Sequence, residues 1–304
     1  MKNKQLIYVA GPTGIGKTKL AINLAKKFNT EIISCDSRQF YKELKIGTCP
    51  PSIEELNEIK HYFIHNKSIK DSYSVGAYEK ECIEVITKIF TTKDILILVG
   101  GSGLYADSIL YGMDDFPDIS KEIKEKVQFD LKNRGLEYIS KELKNLDPDF
   151  YNEVDKNNVI RITRALEVIK QSNSRFSSLR KKTKKERNFK SQILIVESPR
   201  KELYDKINLR VNKMVENGLE KEAYELVNYK KLNTMNTVGY KEFFKYFEGE
   251  LSYYETINKI KQNTRNYAKR QITWLKKYKD AIRIDSTSNT DKIISKIVET
   301  YEKF

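Results

Sequence analysis

The sequence predicts an α/β fold. A parallel-sheet core would carry a phosphate loop, be interrupted by a helical insertion, and end in C-terminal helices. Three observations predict it. Short apolar strands alternate with amphipathic helical stretches over the first hundred residues, the pattern of a parallel sheet. A glycine-rich turn, Gly11–Thr18, joins the first strand to the first helix. From Met113 the chain becomes polar and helical, and it returns to strand character at Gln192. The chain has 304 residues, enough for one large or two modest domains. The predicted division is a core of 1–112 and 191–304, with an insertion at 113–190.

Each element has a local reason. Gln5–Ala10 (QLIYVA) is a short buried strand. Lys19–Phe28 sets Leu20, Leu24 and Phe28 on one helical face. Glu31–Asp36 is a second strand, Ile53–Glu58 a short helix and His61–Ile64 a brief strand. Ser74 is suited to cap a helix over about Val75–Thr91. Asp94–Val99 is another buried strand, closed by Gly100-Gly101-Ser102-Gly103. Helical patterns follow at about Ile123–Asn133, Glu137–Lys144 and Asn157–Gln171, then a strand at Gln192–Glu197. Residues 200–280 read as helical, and Ala281–Asp285 as a last strand.

Composition excludes several classes. Lys and Arg total 56 against 42 Asp and Glu, a net charge of +14, which favours a polyanionic partner. Three cysteines and two histidines are too few for a disulfide framework or a Cys/His zinc site. No apolar run approaches a membrane span, and the N-terminal stretch lacks the features of a signal peptide. A soluble, cytoplasmic, monomeric protein is expected. Lysines number 44 and arginines 12, so an arginine marks a position where a planar fork is wanted.

Gly11-Pro12-Thr13-Gly14-Ile15-Gly16-Lys17-Thr18 fits the phosphate loop G-x-x-x-x-G-K-[ST]. Its glycines let backbone N–H groups turn towards a diphosphate. The helix N-terminus adds positive potential, Lys17 neutralises oxygens, and Thr18 can hold Mg²⁺. An ATPase would carry an Asp at the end of an apolar strand to hold that ion, yet Ile95–Val99 is followed by glycine. A carboxylate instead ends the second strand, at Asp36, on the edge where open α/β sheets bind ligands. Asp36 suits a proton acceptor; capping of the next turn is its alternative role. In the polar cluster that follows, Arg38 can meet phosphate and Gln39 a base edge. The second glycine turn suits tight packing and ligand approach equally.

Three basic elements remain. Arg161 and Arg164 share a helix face, Arg210 lies on an amphipathic helix, and Lys259–Arg283 holds nine Lys/Arg against one Asp. Within the last, Arg265 and Lys269 share a face, while Ile257, Ile260, Ala268, Ile272 and Leu275 are expected to face a core, with Trp274 also in it. Singly, each is a solvated charged face. Together, beside a phosphate loop, they favour nucleic acid.

The segments GPTGIGKT (11–18), DSRQFY (36–41), IGTCPPSIEEL (46–56), YSVGAY (73–78), GGSGLY (100–105), LDPDFY through RITRALEV (146–168), Arg210–Gly218, VGYKE (238–242) and TRNYAKRQITWLKK (264–277) together resemble the bacterial tRNA dimethylallyltransferases, the isopentenyl-tRNA transferases. They span nearly the whole chain. The resemblance implies a core related to P-loop kinases and an insertion that grips the anticodon stem-loop. It implies transfer of a dimethylallyl group from dimethylallyl diphosphate to N6 of the adenosine 3′ to the anticodon, with Mg²⁺ and a flipped-out adenine. Carried over by motif, Asp36 is the general base, the phosphate loop with Thr18 and Arg210 handles the diphosphate, and Thr13 lines the pocket. Asp36, Ser37, Arg38, Gln39, Ser102, the segment Ile160, Arg161, Ile162, Thr163, Arg164, and Gly239, Tyr240 and Lys241 meet tRNA.

There are departures. Ser102 stands where the family commonly has Thr, Cys49-Pro50 replaces an alanine and a lysine, and Lys124 stands at the position of an arginine that meets tRNA. Two rivals stay open. A prenyltransferase or P-loop kinase acting on a free nucleotide has no use for so large a basic insertion. A non-catalytic RNA-binding protein has no use for intact Lys17, Thr18 and Asp36.

Overall fold

The computed structural model describes residues 4–181, 183–289, 291–295 and 297. They form two compact units: 1–111 with 186–304, and 112–185. The first boundary falls at 111/112, where the sequence reading sets it at 112/113. The second falls before Arg187, not after it. That guanidinium donates to the carbonyls of Ser108 and Ile109 and pairs with Glu79 at 2.8 Å, which ties 186–189 to the core.

The core is a six-stranded, all-parallel sheet: β1 (Gln5–Ala10), β2 (Ile32–Ser34), β3 (His61–Tyr62), β4 (Ile95–Val99), β5 (Lys190–Glu197) and β6 (Ile282–Asp285), in the order β3-β2-β4-β1-β5-β6. Its helices are α1 (Lys17–Lys27), α2 (Ile53–Glu58), α3 (Val75–Ile89) and α4 (Gly103–Tyr111). Alternation along the strands fills two layers. Leu6, Tyr8, Ile33, Leu96 and Leu98 pack with α3 and α4 on one face. Ile7, Val9, Ile32, Ile97 and Val99 pack with α1 on the other. The register sets Val9 beside Val99 and Val99 beside Ser34, so the chain leaves β1, β4 and β2 side by side at one carboxyl edge.

Of the predicted strands β2, β3, β4 and β6 come out shorter and β5 longer. β5 starts at Lys190 because Gln5 pairs with that residue. β2 stops at Ser34; the Cys35 N–H still bonds Val99 O at 2.8 Å, and the chain then turns. Asp36 therefore lies two residues past its strand, not at its end.

The second unit contains α5 (Lys121–Leu146), α6 (Pro148–Glu153), α7 (Val159–Ser172) and α8 (Phe176–Leu179) around its own core of Val127, Ile139, Leu143, Phe150, Ile162, Leu166 and Phe176. α5 is broken at Gly135 (φ 80°, ψ 175°), so the two predicted helices are two helical pieces. Asn158 caps α7 through Arg161 N–H.

The remaining helices are α9 (Arg200–Glu216), α10 (Leu219–Glu225), α11 (Tyr240–Phe247) and α12 (Tyr253–Leu275). α12 buries Ile260, Ala268 and Leu275 as expected, but Ile272 is 38% exposed. Trp274 is half-buried, with its indole laid over Gly103. Among the described residues no helix is long and apolar enough to cross a membrane.

Candidate active site

The phosphate loop follows β1 directly. Gly14 (φ 80°) and Gly16 (φ 100°) take left-handed backbone, which L side chains rarely adopt, and Gly16 opens α1. Pro12 and Ile15 are buried, Ile15 in the core beneath the loop, so those two offer a ligand only backbone. Lys17 donates from Nζ to Pro12 O at 2.8 Å. Burial pulls the Lys17 pKa down to about 8; nearby Asp36 opposes that shift and Arg210 adds to it. An ammonium held in so dry a place gains strongly from an arriving anion.

A pocket of about 50 Å³ gathers Thr13, Lys17, Thr18, Asp36, Gln39, His61, Arg210 and Gln271. Thus Asp36, Thr18 and Arg210, drawn from three separate segments, line one cavity. Asp36 also performs its alternative role, since Oδ1 accepts the Arg38 N–H at 2.9 Å. Arg210 reaches in from α9 and donates to Thr48 O at 3.2 Å. Across Cys49, Pro51 and Arg210 this pocket adjoins a groove of about 770 Å³, which Ile46, Ile53, Leu56, Leu209 and Met214 make largely apolar. A charged pocket beside an apolar groove suits a ligand with an anionic head and a hydrocarbon tail.

The cluster after Asp36 is structured. Ser37 and Ser102 bond through their hydroxyls at 3.0 Å, and Ser37 N–H donates to the same Ser102 oxygen. Arg38 donates to Thr234 O, and the Gln39 amide to Thr48 O and Cys49 O. The second glycine turn is built for packing: a Cβ at Gly100 would lie 2.6 Å from Cys35 Sγ, and Cβ atoms at Gly101 and Gly103 would collide with Gln271 and Trp274. Beyond it a recess of about 240 Å³ is walled by Tyr105, Tyr267, Arg270 and Trp274. Burial pushes Tyr267 up to about 12, with Asp36 adding to it.

Some expected RNA-facing residues point inward. Tyr240 is fully buried and donates to Glu222 at 2.6 Å, and Gly239 is buried beside it with its N–H on Glu242. Those two are therefore structural; Lys241 is half-exposed. In the second unit Ile162 and Thr163 are core, whereas Lys124, Ile160, Arg161 and Arg164 are exposed. On α12, Lys269 is exposed, while Arg265 donates to Asn208 at 2.7 Å and lies over Tyr204.

Sequence reasoning gave three residues of the site no role. Glu222 accepts the N–H groups of Lys45, Ile46 and Gly47, fixing the loop that bounds the pocket. His61 donates from Nδ1 to Ile59 O at 2.7 Å, which leaves Nε2 as a bare acceptor, buried and without a partner. Gln271 bonds Thr13 N–H and Gly101 O at once. Charge and glycine mark the phosphate loop in sequence; nothing local marks a glutamine on a long helix.

Residues 39–278 match the family model described as IPP transferase. The chain belongs to the IPP transferase family. Among curated members it is 45% identical over 302 residues to the tRNA dimethylallyltransferase of Flavobacterium johnsoniae, covering 97% of this chain and 98% of that one. It is 45% identical over 298 residues to that of Flavobacterium psychrophilum, covering 96% and 97%. Among solved structures, a tRNA isopentenylpyrophosphate transferase from Bacillus halodurans aligns at a TM-score of 0.72 with 31% identity, over 99% of this chain and 97% of that one. A eukaryotic dimethylallyltransferase acting on tRNA aligns at 0.79 with 28% identity, over 94% and 74%. The family places the chain among transferases.

Proposed function

We propose that this chain is a tRNA prenyltransferase that moves a dimethylallyl group from dimethylallyl diphosphate to N6 of the adenosine 3′ to the anticodon. The observation that carries it is the convergence of Lys17, Thr18, Arg210 and Asp36 on one pocket beside an apolar groove. The diphosphate takes the phosphate-loop end and the short hydrocarbon tail the groove. An adenine N6 amine is a poor nucleophile because its lone pair is delocalised. It needs positioning, loss of a proton and a good leaving group. The allylic C–O bond breaks with its electron pair leaving on the diphosphate, the N6 lone pair forms the N–C bond, and the N6 proton passes to Asp36. Lys17 and Arg210 meet the departing charge with fixed cations. A base in a loop is unstacked at less cost than one in a duplex.

The donor set fits Mg²⁺. Thr18 hydroxyl is a hard oxygen at the diphosphate end of the pocket, and no group of three or more His, Cys, Asp or Glu among the described residues forms a protein cage. Mg²⁺ commonly binds through one or two protein oxygens plus substrate phosphates. Bound there it would neutralise charge on the diphosphate.

The test is incubation with labelled dimethylallyl diphosphate and either total tRNA or AMP. Label in tRNA, independent of ATP, is expected. Label in AMP, or a requirement for ATP, sinks the proposal.

A further inference from the structure

The Pro12–Thr13 peptide is held from both sides. Its N–H, on Thr13, donates to Gln271 Oε1 at 2.8 Å, and its C=O, on Pro12, accepts from Lys17 Nζ at 2.8 Å. In a trans peptide these two groups point in opposite directions, so whatever fixes one aims the other. The far end of the same Gln271 amide donates from Nε2 to Gly101 O at 2.9 Å. The donor on one side and the acceptor on the other leave a single assignment of amide oxygen and nitrogen. Gly101 precedes Ser102, whose hydroxyl holds Ser37 next to Asp36. Gln271 is itself only 6% exposed, and Gly101 has no room for a Cβ against it.

We propose that Gln271 is the positioning residue that registers the diphosphate half of the site against the acceptor half. Through Thr13 it sets the peptide whose carbonyl parks Lys17. Through Gly101 it sets the turn whose serine braces the segment carrying Asp36. One amide so fixes the distance between the leaving group's cation and the proton acceptor. Only a group with an acceptor on one side and a donor on the other can do this. A carboxylate satisfies Thr13 but faces the Gly101 carbonyl with a second lone pair. A carboxylic acid satisfies both, because its O–H replaces the N–H. The proposal rests on the prenyl-transfer reading for its catalytic consequence, but the contacts it invokes act on diphosphate binding alone.

The test uses the full chain and inorganic diphosphate as the probe. Binding is measured for wild type, Gln271→Leu and Gln271→Glu, each as a ratio to wild type at the same pH, with thermal melting to verify folding. Gln271→Leu is expected to weaken diphosphate binding about tenfold, the scale of two lost hydrogen bonds. Gln271→Glu is expected to be weak at about pH 8 and to approach wild type as pH falls to about 6, because burial and the facing carbonyl raise the carboxyl's pKa. Should the leucine variant fail to fold, the glutamate variant alone decides. Diphosphate binding within about twofold of wild type for the folded variants overturns the proposal. So does a glutamate variant whose ratio to wild type does not change with pH, since an amide that merely fills space has no proton to gain. In the tRNA assay, transfer by wild type but no difference at Gln271 refutes this role alone. Absence of transfer by wild type refutes the prenyl-transfer reading instead and leaves the diphosphate result standing.

Discussion

At the scale of residues, Asp36 and Lys17 make separable predictions. Asp36→Asn keeps size and the Oδ1 bond to Arg38 but removes the proton acceptor. General bases contribute roughly 10²–10⁴-fold, so the loss should appear in single-turnover rate at saturating tRNA, with tRNA affinity little changed. If Asp36 mainly holds Mg²⁺, graded Mg²⁺ should partly restore the rate; a rate within about threefold of wild type removes Asp36 from the chemistry. Lys17 gives a pH signature. Its pKa is lowered from 10.5 to about 8, so in the free protein it loses its proton as pH rises through about 8. A bound diphosphate favours the charged form and raises that pKa again. Diphosphate affinity should therefore be highest below about pH 8 and fall about tenfold per pH unit above it, with proton uptake on binding. Lys17→Met should bind weakly with no such fall; an equal fall in that variant assigns the effect to another group. The roles of these two residues were legible because spacing carries them: glycines around a Lys-Thr pair, and a carboxylate just past an apolar strand. Gln271 and Glu222 were not, because each acts on backbone groups more than 150 residues away in sequence.

At the scale of elements, the apolar strands and one capped helix were legible, since Ser74 holds the N-terminal amide its position suggests. The misreadings came from tertiary pairing. β5 gains its first residues because β1 offers a partner, and β2 ends early because the Asp36 N–H turns back to Ser34 Oγ rather than continuing a ladder. The VGYKE segment read as RNA-facing by resemblance, yet its tyrosine anchors Glu222 inside the helical layer. Gly135 makes a prediction for α5. Its φ of 80° and ψ of 175° belong to a region essentially reserved for glycine, and an added Cβ would meet no atom within 4 Å. Gly135→Ala should thus cost backbone strain alone, about 1–3 kcal/mol. Denaturant unfolding of the full chain measures this; an unchanged midpoint for the transition containing the second unit means the break is not a strained turn but an adaptable one.

At the scale of the molecule, the charge excess is shared. Residues 112–185 hold 17 Lys and Arg against 13 Asp and Glu, and the rest of the chain carries the larger part of the +14. Each unit carries a positive excess that suits a polyanion such as tRNA, whereas a diphosphate needs only the pocket around Lys17. Salt separates the two. Each cation that neutralises an RNA phosphate adds about −0.7 to −0.9 to the slope of log K against log salt. Arg161 and Arg164 lie exposed on α7, and Lys269 lies exposed on α12. Arg265 instead spends its guanidinium on Asn208 and Tyr204. Arg161→Ala with Arg164→Ala should flatten the tRNA slope by about 1.5, and Lys269→Ala by about 0.8, with inorganic diphosphate affinity unchanged. Arg265→Ala should leave the slope alone and lower thermal stability, because it strips a partner from Asn208 without removing a phosphate contact. Anisotropy titrations of labelled tRNA across a range of potassium chloride read all four slopes. Identical slopes for wild type and the α7 pair would mean that those arginines face water in the complex. A slope change for Arg265 as large as that for Lys269 would mean that the Asn208 bond opens when RNA arrives.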